Sequence, residues 1–283
     1  MTKPRLQVSF SGGRTSGFMA WWLKRYMSGV FDMHFVFANT GFEHPDTLRF
    51  VDAADKSFGL NLTWVEAVVH AGRKASTHRV VTYETASRNG EPFEAVVAKY
   101  GLPNRTFKLC TRELKANTMR SFVENGLGWG KDYSIAIGIR ADEKRRVSPT
   151  ATEQRIIYPL VDMVPTIKDD VLAFFESYDW DLRIQEREGN CLTCFQKSDA
   201  KLNTVWREHP EHFAFFKHLE DTYSHVGPNN VPGPRKIFRM RRSTADLVAG
   251  FQEADADSTG RFSETDSGTC SESCELFEME ITQ

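Results

Sequence analysis

Residues 6–26 constrain the fold more than any other part of the chain. A short apolar run, Leu6-Gln7-Val8-Ser9-Phe10, empties into Ser11-Gly12-Gly13-Arg14-Thr15-Ser16 and then into a helix-forming stretch over residues 17–26. Strand, glycine turn and helix make the repeating unit of open α/β sheets. The same layout suits a phosphate group. Two glycines allow positive φ and a close approach of backbone N–H groups to an anion, and the helix N-terminus adds partial positive charge. Ser11, Thr15 and Ser16 bring hydroxyl donors as well. The bland reading is an ordinary glycine turn, and two glycines alone do not decide between the two. The Walker loop needs a Gly-Lys-Ser/Thr ending and the dinucleotide fingerprint a third glycine, so both are excluded.

A second apolar run, Phe35-Val36-Phe37-Ala38, ends in Asn39-Thr40-Gly41-Phe42-Glu43, with a helix expected to follow as far as Phe58 and a third strand over residues 61–69. In a parallel sheet ligands sit beyond the carboxyl ends of the strands, so Asn39, Thr40 and Glu43 are expected to face the crevice of the Ser-Gly-Gly loop. Residues 133–140 read as another strand, closing on Gly138-Ile139-Arg140 and a charged stretch, Ala141-Asp142-Glu143-Lys144-Arg145-Arg146. Such runs are usually solvated turns. Here Arg140, Arg145 and Arg146 could also meet phosphate or sulfate oxygens through their forked donors.

These pieces together resemble the PP-loop ATP pyrophosphatase superfamily and, within it, the phosphoadenosine phosphosulfate (PAPS) reductases. Ser11-Gly12-Gly13-Arg14-Thr15-Ser16 is similar to the Ser-Gly-Gly-x-Asp-Ser loop of the superfamily, with Thr15 where many ATP-cleaving members carry Asp. Asn39-Thr40-Gly41 followed by Glu43, the Gly-x-Arg of residues 138–140, and Tyr158-Pro159-Leu160-Val161-Asp162-Met163 before a helix over residues 167–178 resemble further elements of that family. Met163 stands where the family usually has Trp. The resemblance covers roughly residues 5–200. It implies an adenine nucleotide, ATP (with Mg2+) or adenosine phosphosulfate (APS) or PAPS, on Ser11, Gly12, Gly13, Arg14, Thr15, Ser16, Asn39, Thr40, Glu43 and Arg145.

Cys110, Cys191 and Cys194 lie in the body, and Cys270 and Cys274 near the C-terminus. No apolar run is long enough to cross a bilayer and no signal-peptide pattern opens the chain, so a cytoplasmic protein with reduced thiols and no membrane partner is expected. Three readings of the body cysteines stand. They are incidental small apolar residues, or they hold zinc with His209 or His212 as the fourth ligand, or Cys110, Cys191 and Cys194 hold a [4Fe–4S] cluster. Cluster-bearing sulfonucleotide reductases carry a Cys-Cys pair and a later Cys-x-x-Cys, and here Leu109 or Thr111 replaces the partner of Cys110. Gly189-Asn190-Cys191-Leu192-Thr193-Cys194-Phe195-Gln196-Lys197 also resembles an element of the short, phage-type PAPS reductase-like proteins, which favours the cluster.

Towards the C-terminus, residues 206–218 read as an aromatic-rich helix whose Phe213, Phe215 and Phe216 serve a core rather than a base-stacking platform. Residues 226–234 form a Gly/Pro loop. Arg235-Lys236-Ile237-Phe238-Arg239-Met240-Arg241-Arg242 is a basic cluster, read either as a solvated helix entry or acidic-tail dock, or as a contact for an RNA or DNA backbone. Residues 251–283 hold nine acidic residues and one arginine, and a solvated tail is expected there.

The expected architecture is α/β, a mainly parallel doubly wound sheet. Residues 1–185 form the nucleotide-binding domain, 186–250 a Cys-x-x-Cys and helical extension, and 251–283 the tail. Three functions follow. The first is ATP-dependent sulfur transfer beside a cysteine-bound cluster. The second is a sulfonucleotide reductase in which Arg140 holds the sulfate, Cys270 or Cys274 attacks sulfur, and a thiol reductant such as thioredoxin regenerates the enzyme. The third is a nucleotide-binding accessory protein without turnover.

Overall fold

The computed structural model describes residues 2–104, 106–185, 188–189, 191–227, 234–238 and 241–256. β1 (Arg5–Phe10) and β2 (Asp32–Asn39) pair in parallel with Phe10 opposite Phe37, and β3 (Thr63–Val68) continues the parallel ladder with Asn39 opposite Glu66. β5 (Ser134–Ala136) lies on the other side of β1, and β6 (Ile156–Ile157) beyond it, again parallel. An antiparallel edge strand, β4 (Thr77–Val81), completes the six-stranded order β4-β3-β2-β1-β5-β6. This strand escapes the sequence reading because its half-exposed Thr-His-Arg-Val-Val pattern carries little apolar signal. After Ala136 the Ile137 N–H still donates to the Ile157 carbonyl, but the Ile139 N–H turns back onto the Ile137 carbonyl, so the strand is shorter than expected.

The central strands are apolar on both faces because helices cover both. On one face Leu6, Val8, Phe10, Phe35 and Phe37 pack with Met19 and Leu23 of α1 (Arg14–Tyr26), Phe50 and Val51 of α2 (Pro45–Phe58), and Val171 and Phe175 of α6 (Lys168–Glu176). On the other, Val36, Ala38 and Val65 meet Met119 of α4 (Asn117–Ser121) and its flanking π-helical turns, Cys110–Ala116 and Phe122–Gly126. Between these two helical sets in sequence lie α3 (Glu91–Tyr100) and, after β6, the single turn α5 (Pro159–Asp162).

A third apolar cluster draws residues from both sides of the expected division at residue 186. Phe42, Phe93, Val97 and Leu114 share it with Phe195, with Leu202 and Val205 of α7 (Asp199–Glu208), with Phe213 and Phe216 of α8 (Phe213–Tyr223), and with Leu247 and Phe251 of α9 (Thr244–Ala256). The extension therefore shares its core with the sheet domain. The aromatic-rich helix over 206–218 is in fact two helices. Pro210 has no N–H to continue α7 and disfavours helical geometry at the preceding residue, and His209 sits at φ −142°, ψ 65°. Phe213 and Phe216 are core residues, as expected.

The acidic tail does not begin at 251. α9 runs to Ala256, and Phe251 is fully buried, worth about 1.5–3 kcal/mol for such a side chain. The remainder of that segment, with Cys270 and Cys274, lies outside the described residues, as do most of the expected 226–234 loop and Arg239.

Candidate functional site

Strand order reverses at β1, whose neighbours are β2 on one side and β5 on the other. The crevice beyond the carboxyl ends of β1 and β5 is where an open α/β sheet receives its ligand. Two chain segments meet there. A Cβ at Gly138 would stand 3.1 Å from the Cα of Ser16, so the segment after β5 lies close against the turn after β1 with little room for a side chain. The Arg140 guanidinium donates to the Thr15 hydroxyl at 3.1 Å.

The β1–α1 turn takes its bend from one glycine. Gly12 has φ +89°, whereas Gly13, at φ −102° and ψ 161°, is extended backbone open to any residue. A Cβ at Gly12 would stand 2.7 Å from Cγ2 of Thr47. Ser16 closes the turn. Its buried hydroxyl donates to the Gly13 carbonyl at 2.8 Å and accepts from the Ser11 N–H at 3.1 Å, with the Ser11 hydroxyl 3.0 Å away. The first intrahelical bond is Gly17 N–H to Gly13 C=O, so the N–H groups of the first turn have no helical acceptor. The turn is thus held from within by its side chains and offers backbone N–H groups and the helix dipole to an anion.

The arginines divide. Arg14 forms a two-pronged pair with Asp181, at 2.8 and 2.9 Å, and also donates to the Leu182 carbonyl, so its guanidinium secures α1 to the segment after α6. Arg140 is buried and balanced by Asp142 at 2.9 Å and Glu143 at 3.3 Å. Arg146 pairs with the same Glu143 at 2.7 Å. Arg145, on the same 3-10 turn (Ala141–Arg146), is exposed and makes no ion pair or side-chain hydrogen bond among the described residues. It is the arginine of the set with a guanidinium to spare for a ligand.

At the end of β2, Asn39 is wholly buried and spent on structure, donating to Glu66 at 2.7 Å and to the Ser87 carbonyl at 2.9 Å. Glu66, also buried, is saturated by Asn39, Arg79 and Ser87. Thr40 and Glu43 are different. The Thr40 N–H and hydroxyl donate to the Glu43 carboxylate at 3.1 and 2.8 Å, and the Thr40 hydroxyl lies 3.9 Å from the Cys191 sulfur. A backbone bridge pairs Glu43 with Cys191. Burial pushes the Glu43 carboxyl above its usual range, against the opposing pull of Lys115 and the Thr40 hydrogen bonds.

The Cys-x-x-Cys segment is a tight turn, with Cys194 N–H donating to the Cys191 carbonyl at 3.2 Å. Lys197, almost fully buried, donates to the Cys191 and Leu192 carbonyls at 3.0 and 2.9 Å. The sequence reading quoted this lysine within the phage-type Cys-x-x-Cys element but gave it no role. Cys110 opens its π-helical turn and packs, like Cys191, against the apolar cluster of Phe42, Leu114 and Phe195.

The donor chemistry here, three cysteines with Lys197 and Thr193 beside the Cys-x-x-Cys pair, fits a [4Fe–4S] cluster. A tetrahedral zinc with thiolates at about 2.3 Å holds its sulfurs roughly 3.8 Å apart. Among the described residues the one set of metal-type donors lying within 4.8 Å of one another is His209, Glu211 and His212, with no cysteine in it. His209 and His212, expected as candidate fourth ligands to the cysteines, lie together with Glu211. A [4Fe–4S] cluster binds each thiolate through a different iron and spreads them wider. The Thr193 hydroxyl between the two cysteines is wholly buried and has no hydrogen-bond partner among the described residues, a donor suited to a cluster sulfide. The ammonium of Lys197 is suited to the same negative charge.

In the basic cluster, Arg235 donates to the Val226 carbonyl, Lys236 pairs with Asp246 at 2.6 Å, and Arg242 makes a two-pronged pair with Asp199. A backbone bridge pairs Phe238 with Arg242 just before α9 opens at Thr244, so the cluster leads into a helix, with Lys236 and Arg242 paired within the fold.

No helix among the described residues is long and apolar enough to cross a membrane. Against solved structures, the chain is similar to the U34-tRNA thiolase NcsA from Methanococcus maripaludis with its [4Fe-4S] cluster, at 14% identity and a TM-score of 0.40, over 87% of this chain and 80% of that one. So loose a likeness says nothing further about this chain. Among sequences, it is 25% identical over 154 residues to an uncharacterized protein of Methanocaldococcus jannaschii, 54% of this chain but 26% of that one. It is 33% identical over 279 residues to an uncharacterized nin region protein of Escherichia phage lambda, covering 95% of this chain and 94% of the relative. The phosphoadenosine phosphosulfate reductase domain matches residues 5–156, from the first residue of β1 to the first of β6. On that match and the near full-length phage relative, the chain belongs to the PAPS reductase family.

Proposed function

We propose that the protein is an ATP-dependent sulfurtransferase, in which a nucleotide held on the β1–α1 turn activates an acceptor for sulfur delivered from the cysteine side of the crevice. The observation that carries this reading is the contact of the Cys-x-x-Cys segment with the turn that ends β2, through the Glu43–Cys191 bridge and the 3.9 Å approach of Thr40 to the Cys191 sulfur. Thiol chemistry and the expected nucleotide crevice are then neighbours on one edge of one sheet.

In this reading the β- and γ-phosphates lie on the N–H groups at the start of α1, where the helix dipole favours negative charge. Arg145 comes in from the 3-10 turn after β5 as a mobile cation, with Mg2+ as a counter-ion of the nucleotide. An oxygen of the acceptor, an RNA or DNA base being one class that fits, attacks the α-phosphorus and expels pyrophosphate. A sulfur nucleophile then attacks the activated carbon, and AMP leaves with that oxygen. The Glu43 carboxyl, pushed above its usual range by burial, is the proton-exchanging group beside the Cys191 sulfur, held there by the Thr40 hydroxyl. A [4Fe–4S] cluster on Cys110, Cys191 and Cys194 would supply an iron with an open position for a sulfur ligand.

The second reading is a sulfonucleotide reductase. Thr15 favours it, since its hydroxyl is tied to Arg140 where ATP-cleaving members of the superfamily carry a carboxylate. In that case a thiol from Cys270 or Cys274 attacks the sulfate sulfur and the nucleotide leaves. Anaerobic incubation separates the readings: the sulfurtransferase releases pyrophosphate from ATP, the reductase releases sulfite from APS or PAPS in the presence of thioredoxin. Nucleotide binding with neither product is the outcome for an accessory protein.

A further inference from the structure

The break at Pro210 gathers a second set of metal-type side chains that the sulfur chemistry does not use. His209 and His212 flank the 3-10 turn Pro210–His212, and their rings stack 4.8 Å apart at 19°. Nδ1 of His209 lies 3.3 Å from Oε1 of Glu211, and Nε2 of His212 lies 3.9 Å from the same oxygen. Nitrogen and oxygen ligands at about 2.0–2.1 Å around a tetrahedral ion stand roughly 3.4 Å apart, so one pair already has that spacing and the other is within a small side-chain movement of it.

The surroundings are those of a ligand set. Nδ1 of His212 is buried and without a hydrogen-bond partner among the described residues. That leaves the ring held by packing, with Nε2 on the side of Glu211. Nε2 of His209 lies 4.0 Å from the Glu188 carboxylate, which adds negative charge beside the site and stands within a small side-chain movement of orienting that imidazole. Glu211 is exposed at 66%, so its carboxylate can turn to the ion without breaking the core. A plain helix break requires neither two facing imidazoles nor the two carboxylates beside them.

We propose that His209, Glu211 and His212 form a binding site for one zinc-class divalent cation, separate from the cysteines. Two imidazoles and one carboxylate suit Zn2+, Co2+ or Ni2+ rather than Mg2+ or Ca2+, which prefer oxygen ligands alone. Three protein ligands leave a position for water. The site joins α7 to α8 and so ties together the two helices that carry much of the third core.

The test uses the full-length protein, treated with a chelator and titrated anaerobically with Co2+ alone, followed by calorimetry and visible spectroscopy. The expected result is one equivalent of Co2+ with ligand-field bands of nitrogen and oxygen coordination and no thiolate-to-cobalt charge transfer. Glu211→Gln and His209→Ala should each weaken binding by about tenfold or more, while Cys191→Ala leaves this equivalent in place. Because His212 is partly buried, His212→Ala could disturb folding, and the exposed Glu211 variant keeps the test open. Binding unchanged in both Glu211→Gln and His209→Ala would overturn the proposal. So would a cobalt spectrum of thiolate type that disappears with Cys191→Ala. Neither outcome bears on pyrophosphate release, so the sulfurtransferase reading stands or falls separately.

Discussion

The two turns at the carboxyl edge of the sheet are closed in the same way and do opposite things. In the turn after β1, the buried Ser16 hydroxyl donates to the turn's own carbonyl at Gly13; in the Cys-x-x-Cys turn, the buried Lys197 ammonium donates to the carbonyls of Cys191 and Leu192. The first closure uses up neutral side chains and leaves backbone N–H groups, which suits an anion whatever its substituents. The second brings a positive charge beside thiols, which suits negative charge on sulfur. A backbone site tolerates changes of side chain and depends on backbone shape, while a side-chain site depends on each residue being what it is. The two should therefore fail differently when mutated.

The largest effect is expected at Gly12. Gly12→Val forces a β-branched residue to φ +89° and its Cβ to 2.7 Å from Thr47, costing about 3 kcal/mol or more and removing nucleotide binding. Gly13→Ala sharpens the point, since φ −102° suits alanine and stability should stay within about 0.5 kcal/mol of the parent. Denaturant unfolding and nucleotide titration check both. Equal destabilisation by the two substitutions would break the assignment of the bend to one glycine.

Lys197→Met comes next. It takes the Lys197 donor from the Leu192 carbonyl and leaves the Cys191 carbonyl only the Cys194 N–H, costing about 1–3 kcal/mol, and iron content after anaerobic reconstitution should fall while nucleotide affinity holds. Loss of nucleotide affinity with iron retained would reverse the roles assigned to the two turns.

On the Cys110 side, Glu113 gives a pH signature. Burial alone would raise its carboxyl, but hydrogen bonds from Ser76, Asn117 and Arg112 outweigh it and hold the group below the usual range. Its ionised form therefore contributes stability above the ordinary carboxylate range, and that contribution is lost as pH falls through the lowered value. Glu113→Gln should cost about 1–2 kcal/mol at neutral pH and less in acid, giving a flatter acid limb of stability against pH. An unchanged limb would remove Glu113 from the support of this turn.

The smallest change in stability is expected at Arg145, exposed and without an ion pair among the described residues. Arg145→Ala should leave unfolding within about 0.5 kcal/mol yet weaken nucleotide binding about tenfold, or about 1.4 kcal/mol. An affinity equal to the parent's would take Arg145 out of the crevice.

Much of this was legible because it rests on local pattern. Apolar runs of Leu6, Val8 and Phe10, and of Phe35 and Phe37, mark strands buried on both faces, and Gly12 and Gly13 mark the turn between strand and helix. What stayed hidden depends on tertiary partners. Arg14 looks like a phosphate ligand until Asp181, far along the chain, claims it, and Asn39 like a substrate donor until Glu66 and Ser87 do. α9 was readable in part, since Leu247, Phe251 and Ala254 recur at helical spacing, but the acidic residues among them read as tail. Lys197 was visible as a residue and not as a role, because burial of a lysine on backbone carbonyls has no sequence signature.

The central claim is that the nucleotide turn and the cysteine turn serve one ATP-dependent reaction. Its most direct test is anaerobic pyrophosphate release from ATP by the reconstituted full-length protein, measured with RNA and DNA acceptors and, in parallel, sulfite release from APS and PAPS. The account predicts pyrophosphate without sulfite, rising with an acceptor and lost in Gly12→Val. Sulfite from APS or PAPS with no pyrophosphate from ATP would contradict it.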